Sequence, residues 1–292
     1  FHPVWYQGAT DWLDSEKISM RASELDRADN VQVSTDLHPF IYVQRLVLWD
    51  RLTAGQEAGA IERLRSIGWL PLTLSLLFLL ALLLVLPRLR FGARTGWTRG
   101  AVLVSIATTG FVTMALSIVW LFAFQNLYGY VYQRIGWIIA LFMGGLVVGC
   151  WLADRLAQRL RQWLIIIDVL LATLAFSAPV ILPALGALQT SASTLRLVEL
   201  SVSILVVSTG VLGGAAFAVA GGLELAATGR VGKAAGQVVG ADHAGACLGA
   251  LLTGIVLVPV HGTVAAGIFL GAMKLVSATL LWRLASDRGN NL

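Results

Sequence analysis

Charge is what this sequence has least of. Asp, Glu, Lys and Arg together make up 13% of its 292 residues, where a soluble globular chain is nearer one-quarter charged. That deficit excludes a disordered protein, a coiled coil and an ordinary soluble enzyme of this length. Cysteine is scarce as well. Cys150 and Cys247 are the only two, and both lie in apolar stretches, which leaves no disulfide framework and no metal-ligand spacing. The residue patterns of serine, cysteine, zinc and P-loop chemistry are missing. The opening, from Phe1, has no basic segment followed by a short apolar run. It therefore reads as the interior of a longer polypeptide rather than as a signal peptide.

What the sequence has in quantity is apolar residues, 57% of the total, with a mean hydropathy of +0.79. Lys and Arg number 21 against 16 Asp and Glu, a formal net charge of +5. The basic residues cluster between apolar runs, which is a topology signal of a membrane protein, and no nucleic-acid partner is expected. Composition changes near Ile67. Most acidic residues precede it, and the chain beyond it is almost continuously apolar. Seven stretches approach the roughly 20 residues a helix needs to cross the hydrocarbon core: 67–86, 101–124, 135–153, 163–187, 198–223, 239–260 and 263–282. Backbone in hydrocarbon must satisfy its own hydrogen bonds, so these are expected as helices. The fold class is thus an all-α polytopic membrane protein of about seven transmembrane helices, with a short α/β stub at the N-terminus. Residues 1–57 form the stub, 58–66 a connecting helix and 67–292 the transmembrane domain. The fifth stretch contains Gly210, Gly213 and Gly214 and is the one most open to a break. The last two, joined by His261 and Gly262, are expected to form a tight antiparallel pair.

Trp69, Trp97, Trp137, Trp151, Trp163 and Trp282 fall at or near stretch ends, where amphipathic rings favour the membrane interface. Four glycine pairs are spaced by four residues: Gly145 and Gly149, Gly236 and Gly240, Gly245 and Gly249, Gly267 and Gly271. Such spacing lets helix backbones approach, here chiefly within the bundle. With seven spans, Arg88, Arg90, Arg94, Arg99, Arg155, Arg159, Arg161, Arg230, Lys233, Arg283 and Arg288 share one side. Arg63, Arg65, Arg134 and Arg196 share the other. The positive-inside rule then puts the C-terminus in the cytoplasm and the stub on the opposite side of the membrane, as for a bacterial inner membrane protein.

Three segments carry a family resemblance. They are Val33-Ser34-Thr35-Asp36-Leu37-His38-Pro39-Phe40-Ile41-Tyr42 with Leu48-Trp49; Gly110-Phe111 through Met114 with Phe122-Ala123-Phe124-Gln125-Asn126-Leu127-Tyr128-Gly129-Tyr130-Val131-Tyr132; and Ala241-Asp242, Gly245 and Gly249-Ala250-Leu251-Leu252-Thr253-Gly254. The chain resembles membrane-fused spermidine synthase-like proteins, polyamine aminopropyltransferase homologues joined to polytopic membrane segments. The resemblance implies that residues 1–57 are the end of a synthase-like domain. Ser117 stands where the resemblance implies an acidic residue, and Lys274 where it implies an amide. It also implies a Rossmann-like fold that binds decarboxylated S-adenosylmethionine through a Gly-rich loop after a strand. Residues 1–66 contain no such loop, and Asp11 and Asp14 read as a solvated turn. No catalytic residue and no cofactor are therefore expected in this chain. Any aminopropyltransferase site would lie upstream.

Ionisable residues inside spans need a reason, since each costs about 2.5–3.5 kcal/mol at the bilayer centre. Asp168, Glu224, Asp242, His243 and Lys274 fall in the cytoplasmic half when helix directions alternate. Glu224 and Asp242 are placed within a turn of a span end. The expected intramembrane polar cluster is Asp168, Asp242, His243 and Lys274, with Lys274 paired to Asp168 or Asp242. Opposite it, Gln125, Asn126, Tyr128, Tyr130, Tyr132 and Arg134 form an interface belt, or else a binding mouth for a polar ligand or a docking surface for the soluble domain, and His261 reads as a turn residue.

Three functions fit. The first is a membrane anchor or scaffold of a spermidine synthase-like protein. The second is a transporter of a small solute or polyamine, suggested by Gly149-Cys150-Trp151-Leu152-Ala153-Asp154-Arg155 but weakened by the lack of a two-fold repeat. The third is a structural subunit of a larger membrane complex. Expected partners are the lipid bilayer, an upstream synthase-like domain or other membrane subunits, and a second copy in a homo-oligomer.

Overall fold

The computed structural model describes residues 93–128, 132–153, 155, 159–187 and 192–289. The stub, the connecting helix and the stretch 67–86 lie outside the described residues. Those described are almost wholly helical, and no strand occurs among them. The helices are α1 (Ala93–Tyr128), α2 (Tyr132–Ala153), α3 (Leu160–Ala187), α4 (Ala192–Thr228), α5 (Val231–Leu252) and α6 (Gly262–Gly289), with a π-helical segment, Thr253–His261, between α5 and α6. Among the described residues, five stretches are long and apolar enough to cross a membrane, the last being Val231–Arg283.

That last stretch turns back on itself. Gly245 of α5 lies against Ala107 of α1 and Gly249 against Phe111, so α5 runs parallel to α1. Phe269 of α6 meets Phe111 at 6.5 Å between ring centroids, whereas Lys274 reaches back to Thr109, so α6 runs antiparallel to α1. The reversal falls at Gly262, whose φ of 81° suits a residue without a Cβ. Pro259 lies in the wide π turn just before it, where a missing N–H costs least. The expected tight pair of α5 and α6 is corrected: α5 packs chiefly on α1, and α6 chiefly on α3 and then on α1. The earlier reversal, from α4 to α5, uses Gly229 at φ 61°. Its N–H donates to the Leu225 carbonyl at 2.8 Å, a left-handed cap closing the helix.

Helix α1 is the hub and touches every other element. Its two faces differ. At 100° per residue, Ser105, Thr108 and Thr109 share one side, and Ala107, Gly110 and Phe111 lie about half a turn away. The first side meets α3 and α6; the second meets α5. Helices α2 and α4 pack through glycine. A Cβ on Gly145 would stand 2.6 Å from the Val207 carbonyl oxygen, and Cβ atoms on Gly149, Gly210 and Gly214 would strike the backbones of Val211, Phe142 and Leu146. Here lies the reason α4 runs unbroken through its glycines: they are consumed by close approach, and the helix runs on to Thr228.

Apolar side chains line the outside. Val147, Val180 and Val231 are the most exposed, with Trp137, Trp151 and Trp282 also exposed near stretch ends. Arg155 stacks on Trp151 at 4.3 Å. Trp120 instead is buried, and its indole N–H donates to Thr209 Oγ1 at 3.1 Å. Asp168, Glu224 and Lys274, by contrast, are buried. That inversion of the soluble pattern fits an apolar solvent.

Candidate functional site

Three helices place their polar residues at one depth. On α1, Ser105, Thr108 and Thr109 follow the i, i+3, i+4 spacing that stacks side chains on one helix face. On α6, Lys274 and Ser277 are three apart. Asp168 comes from α3. Because α6 runs against α1 and α3, residues far apart in the chain arrive at the same level.

Asp168 and Lys274 are both 0% exposed and form an ion pair through Asp168 Oδ1. The other carboxylate oxygen accepts from Ser105 Oγ at 3.0 Å and from Ser277 Oγ at 2.6 Å. Lys274 also donates to Thr109 Oγ1 at 2.7 Å, to Thr108 Oγ1 at 3.4 Å and to the Ser105 carbonyl at 3.4 Å. Both threonine hydroxyls spend their own protons on that same carbonyl, at 2.9 and 2.8 Å. Their lone pairs are thereby left facing the ammonium, which has donors only. Every charged atom of the pair is thus met, the condition under which a buried pair is tolerated. The arrangement acts as a pin through α1, α3 and α6.

Of the four residues expected to cluster, the structure joins only Asp168 and Lys274. Asp242 and His243 form a separate pair on α5, with His243 Nδ1 at 3.7 Å from Asp242 Oδ2 and His243 largely exposed. The cause is the two-faced α1: Gly110 holds the Asp242 backbone against the side opposite Ser105. Asp242 also lies farther along its helix than expected. Helix α5 begins at Val231 rather than near residue 239, which puts Asp242 three turns into the helix, about 16 Å at 1.5 Å per residue. Glu224, expected at an interface, is buried at 1% exposure.

Of the interface belt, Gln125 is half-buried near the end of α1. Asn126 and Tyr128 belong to the last turn of α1, Tyr132 and Arg134 to the first turn of α2, and Tyr130 lies outside the described residues. His261 closes the π segment and is buried. Ser117, where the resemblance implied an acid, bonds its own Met114 carbonyl at 2.8 Å. Sequence reasoning missed the hydroxyl residues around Lys274. Their i, i+3, i+4 spacing on α1 was the available signal. Among the described residues no group of three or more His, Cys, Asp or Glu is placed to hold a metal. The sequence matches no protein-family model, no curated protein and no solved structure.

Proposed function

We propose that this chain is the membrane domain of a spermidine synthase-like protein, an anchor of seven spans whose polar stub ends the synthase-like region. One observation supports this reading above the others. Two of the separate segments that carry the resemblance, around Gly110-Phe111 and around Asp242, Gly245 and Gly249, lie against each other along α1 and α5. A motif shared with a family is better explained when its parts serve one contact than when they are scattered. The stretch 67–86 supplies the seventh span, and eleven basic residues on one side against four on the other put the C-terminus in the cytoplasm. The Lys274–Asp168 pair serves the anchor as an internal fastening, its charges closed off from the surface.

The test is made on the native polypeptide, by intact mass and N-terminal sequencing. A mass well above 31.2 kDa, with a Gly-rich loop upstream and aminopropyl transfer from decarboxylated S-adenosylmethionine, supports the reading. A native start at Phe1 removes it.

A further inference from the structure

The crevice between the N-terminal halves of α2 and α4 has a source in the sequence. On α2, Trp137, Leu141, Gly145 and Gly149 are spaced by four and share a face. The two glycines bring α2 against α4. The two large residues one and two turns earlier line an open gap of about 520 Å³ instead. Helix α4 lines it with Arg196, Leu200, Ile204 and Val207 at successive turns, with Glu199, Ser203 and Ser208 beside them. Close packing at one end and bulk at the other make a wedge that widens toward the start of both helices.

Its chemistry is graded along its length. Arg196 opens the candidate span that it begins, at headgroup level, and is exposed. Trp137, 56% exposed, sits at the matching end of α2, where an indole favours the interface. Deeper in, the walls are Leu141, Leu200, Ile204 and Val207, with Leu200 and Ile204 exposed toward the surroundings. We propose that this crevice binds one glycerophospholipid from the leaflet at which α2 and α4 begin, with its phosphate on Arg196 and an acyl chain in the apolar wedge. A guanidinium suits a phosphodiester as a planar, bidentate donor, and basic pockets between transmembrane helices hold lipid headgroups. A flat helix face would contact lipid chains without holding any one lipid. The wedge adds walls on two sides, and Arg196 adds a charged end.

The test uses the full chain in bilayer nanodiscs of phosphatidylethanolamine and phosphatidylglycerol, doped with a diazirine-bearing phosphatidylglycerol or with a diacylglycerol carrying the same diazirine chain. Cross-linked sites are mapped by peptide mass spectrometry. The phospholipid is expected to label residues 137–141 and 200–208 well above the lipid-facing positions around Val147 and Val180, and the phosphate-free lipid to label all of them alike. Arg196→Gln is expected to lower the crevice labelling about ten-fold, as loss of a charge-assisted contact does. Ser203→Trp, which fills the wedge, is expected to lower it while Arg196 remains. Arg230→Gln, an exposed arginine at the start of α5, serves as the control and is expected to change nothing. Equal labelling by both lipids, labelling unmoved by Arg196→Gln, or cross-links to a second copy of the chain at this crevice would each overturn the proposal. None of these results bears on the synthase-like reading.

Discussion

Two interfaces in this bundle hold helices together by opposite means. Between α2 and α4 there is almost nothing but backbone: Gly145, Gly149, Gly210 and Gly214 remove side chains so that main chains touch. Between α1, α3 and α6 there is instead a charged pair wrapped in four hydroxyls. Lipid tails are as apolar as leucine, so burying leucine gives helices in a membrane little reason to associate. What remains is dispersion from close packing and hydrogen bonds between polar groups. The molecule uses each in a different place, and the two should fail differently. A packed interface resists added atoms and has no charge to strand. A polar pin tolerates shape changes around it and responds sharply to the loss of either partner.

The largest effect is expected at the pin. Lys274→Met leaves Asp168 buried without its cation and Thr109 without its donor, and should destabilise the protein by about 3–5 kcal/mol. Thermal unfolding in a mild detergent reads this out. The paired change Lys274→Met with Asp168→Leu should recover most of the loss, because an apolar pair of similar size often replaces a buried ion pair at little cost. If Lys274→Met melts like the parent, the pin carries no stability, and the contrast between the two interfaces collapses.

A smaller effect is expected at the glycine interface. Gly149→Ala drives a methyl into the Val211 carbonyl on α4, a case of overpacking that costs about 1–3 kcal/mol. Gly144, five residues earlier on the same helix, has nothing within 4 Å of where its Cβ would stand. Gly144→Ala is therefore the matched control, expected to leave the melting midpoint unchanged or slightly raised. Equal losses from both variants would mean that helix α2 is sensitive to any glycine replacement and that the contact with α4 is not the reason.

Much of this was legible before any coordinates, and the gaps have physical causes. Four of the expected stretches became α1 to α4 because hydropathy and length are what a membrane selects on. The ion pair between Asp168 and Lys274 was within reach of simple depth arithmetic, since Asp168 lies five residues inside the stretch 163–187 and Lys274 eight inside 263–282, on helices of opposite direction. Asp242 was misplaced because apolarity rises near residue 239 while the helix begins at Val231. Hydropathy sees the hydrocarbon boundary and is blind to the turns of helix outside it, here carrying Lys233 and Gln237. That Asp242 cannot join Lys274 depends on which face of α1 each neighbour takes. No single helix carries that information in its own sequence.

Glycine spacing shows the same limit most clearly, and it yields the smallest predicted effect. Gly236 and Gly240 repeat the four-residue spacing of Gly245 and Gly249 on the same helix. The latter pair is pressed on Ala107 and Phe111, whereas Gly236 and Gly240 have open space where a Cβ would be. If that face meets only lipid, each glycine is a cost to the helix with no packing return. Gly240→Ala should then stabilise by roughly 0.5–1 kcal/mol, the usual penalty of glycine in a helix interior, with the chain's oligomeric state unchanged by light scattering. The alternative has a distinct signature. Were the face closed against a second helix from another chain, the added methyl would loosen the assembly, lowering the melting midpoint and the scattering mass together. A rise in stability at constant mass marks Gly236 and Gly240 as unused spacing. A joint fall would make them a third interface, built like α2 against α4 but between molecules.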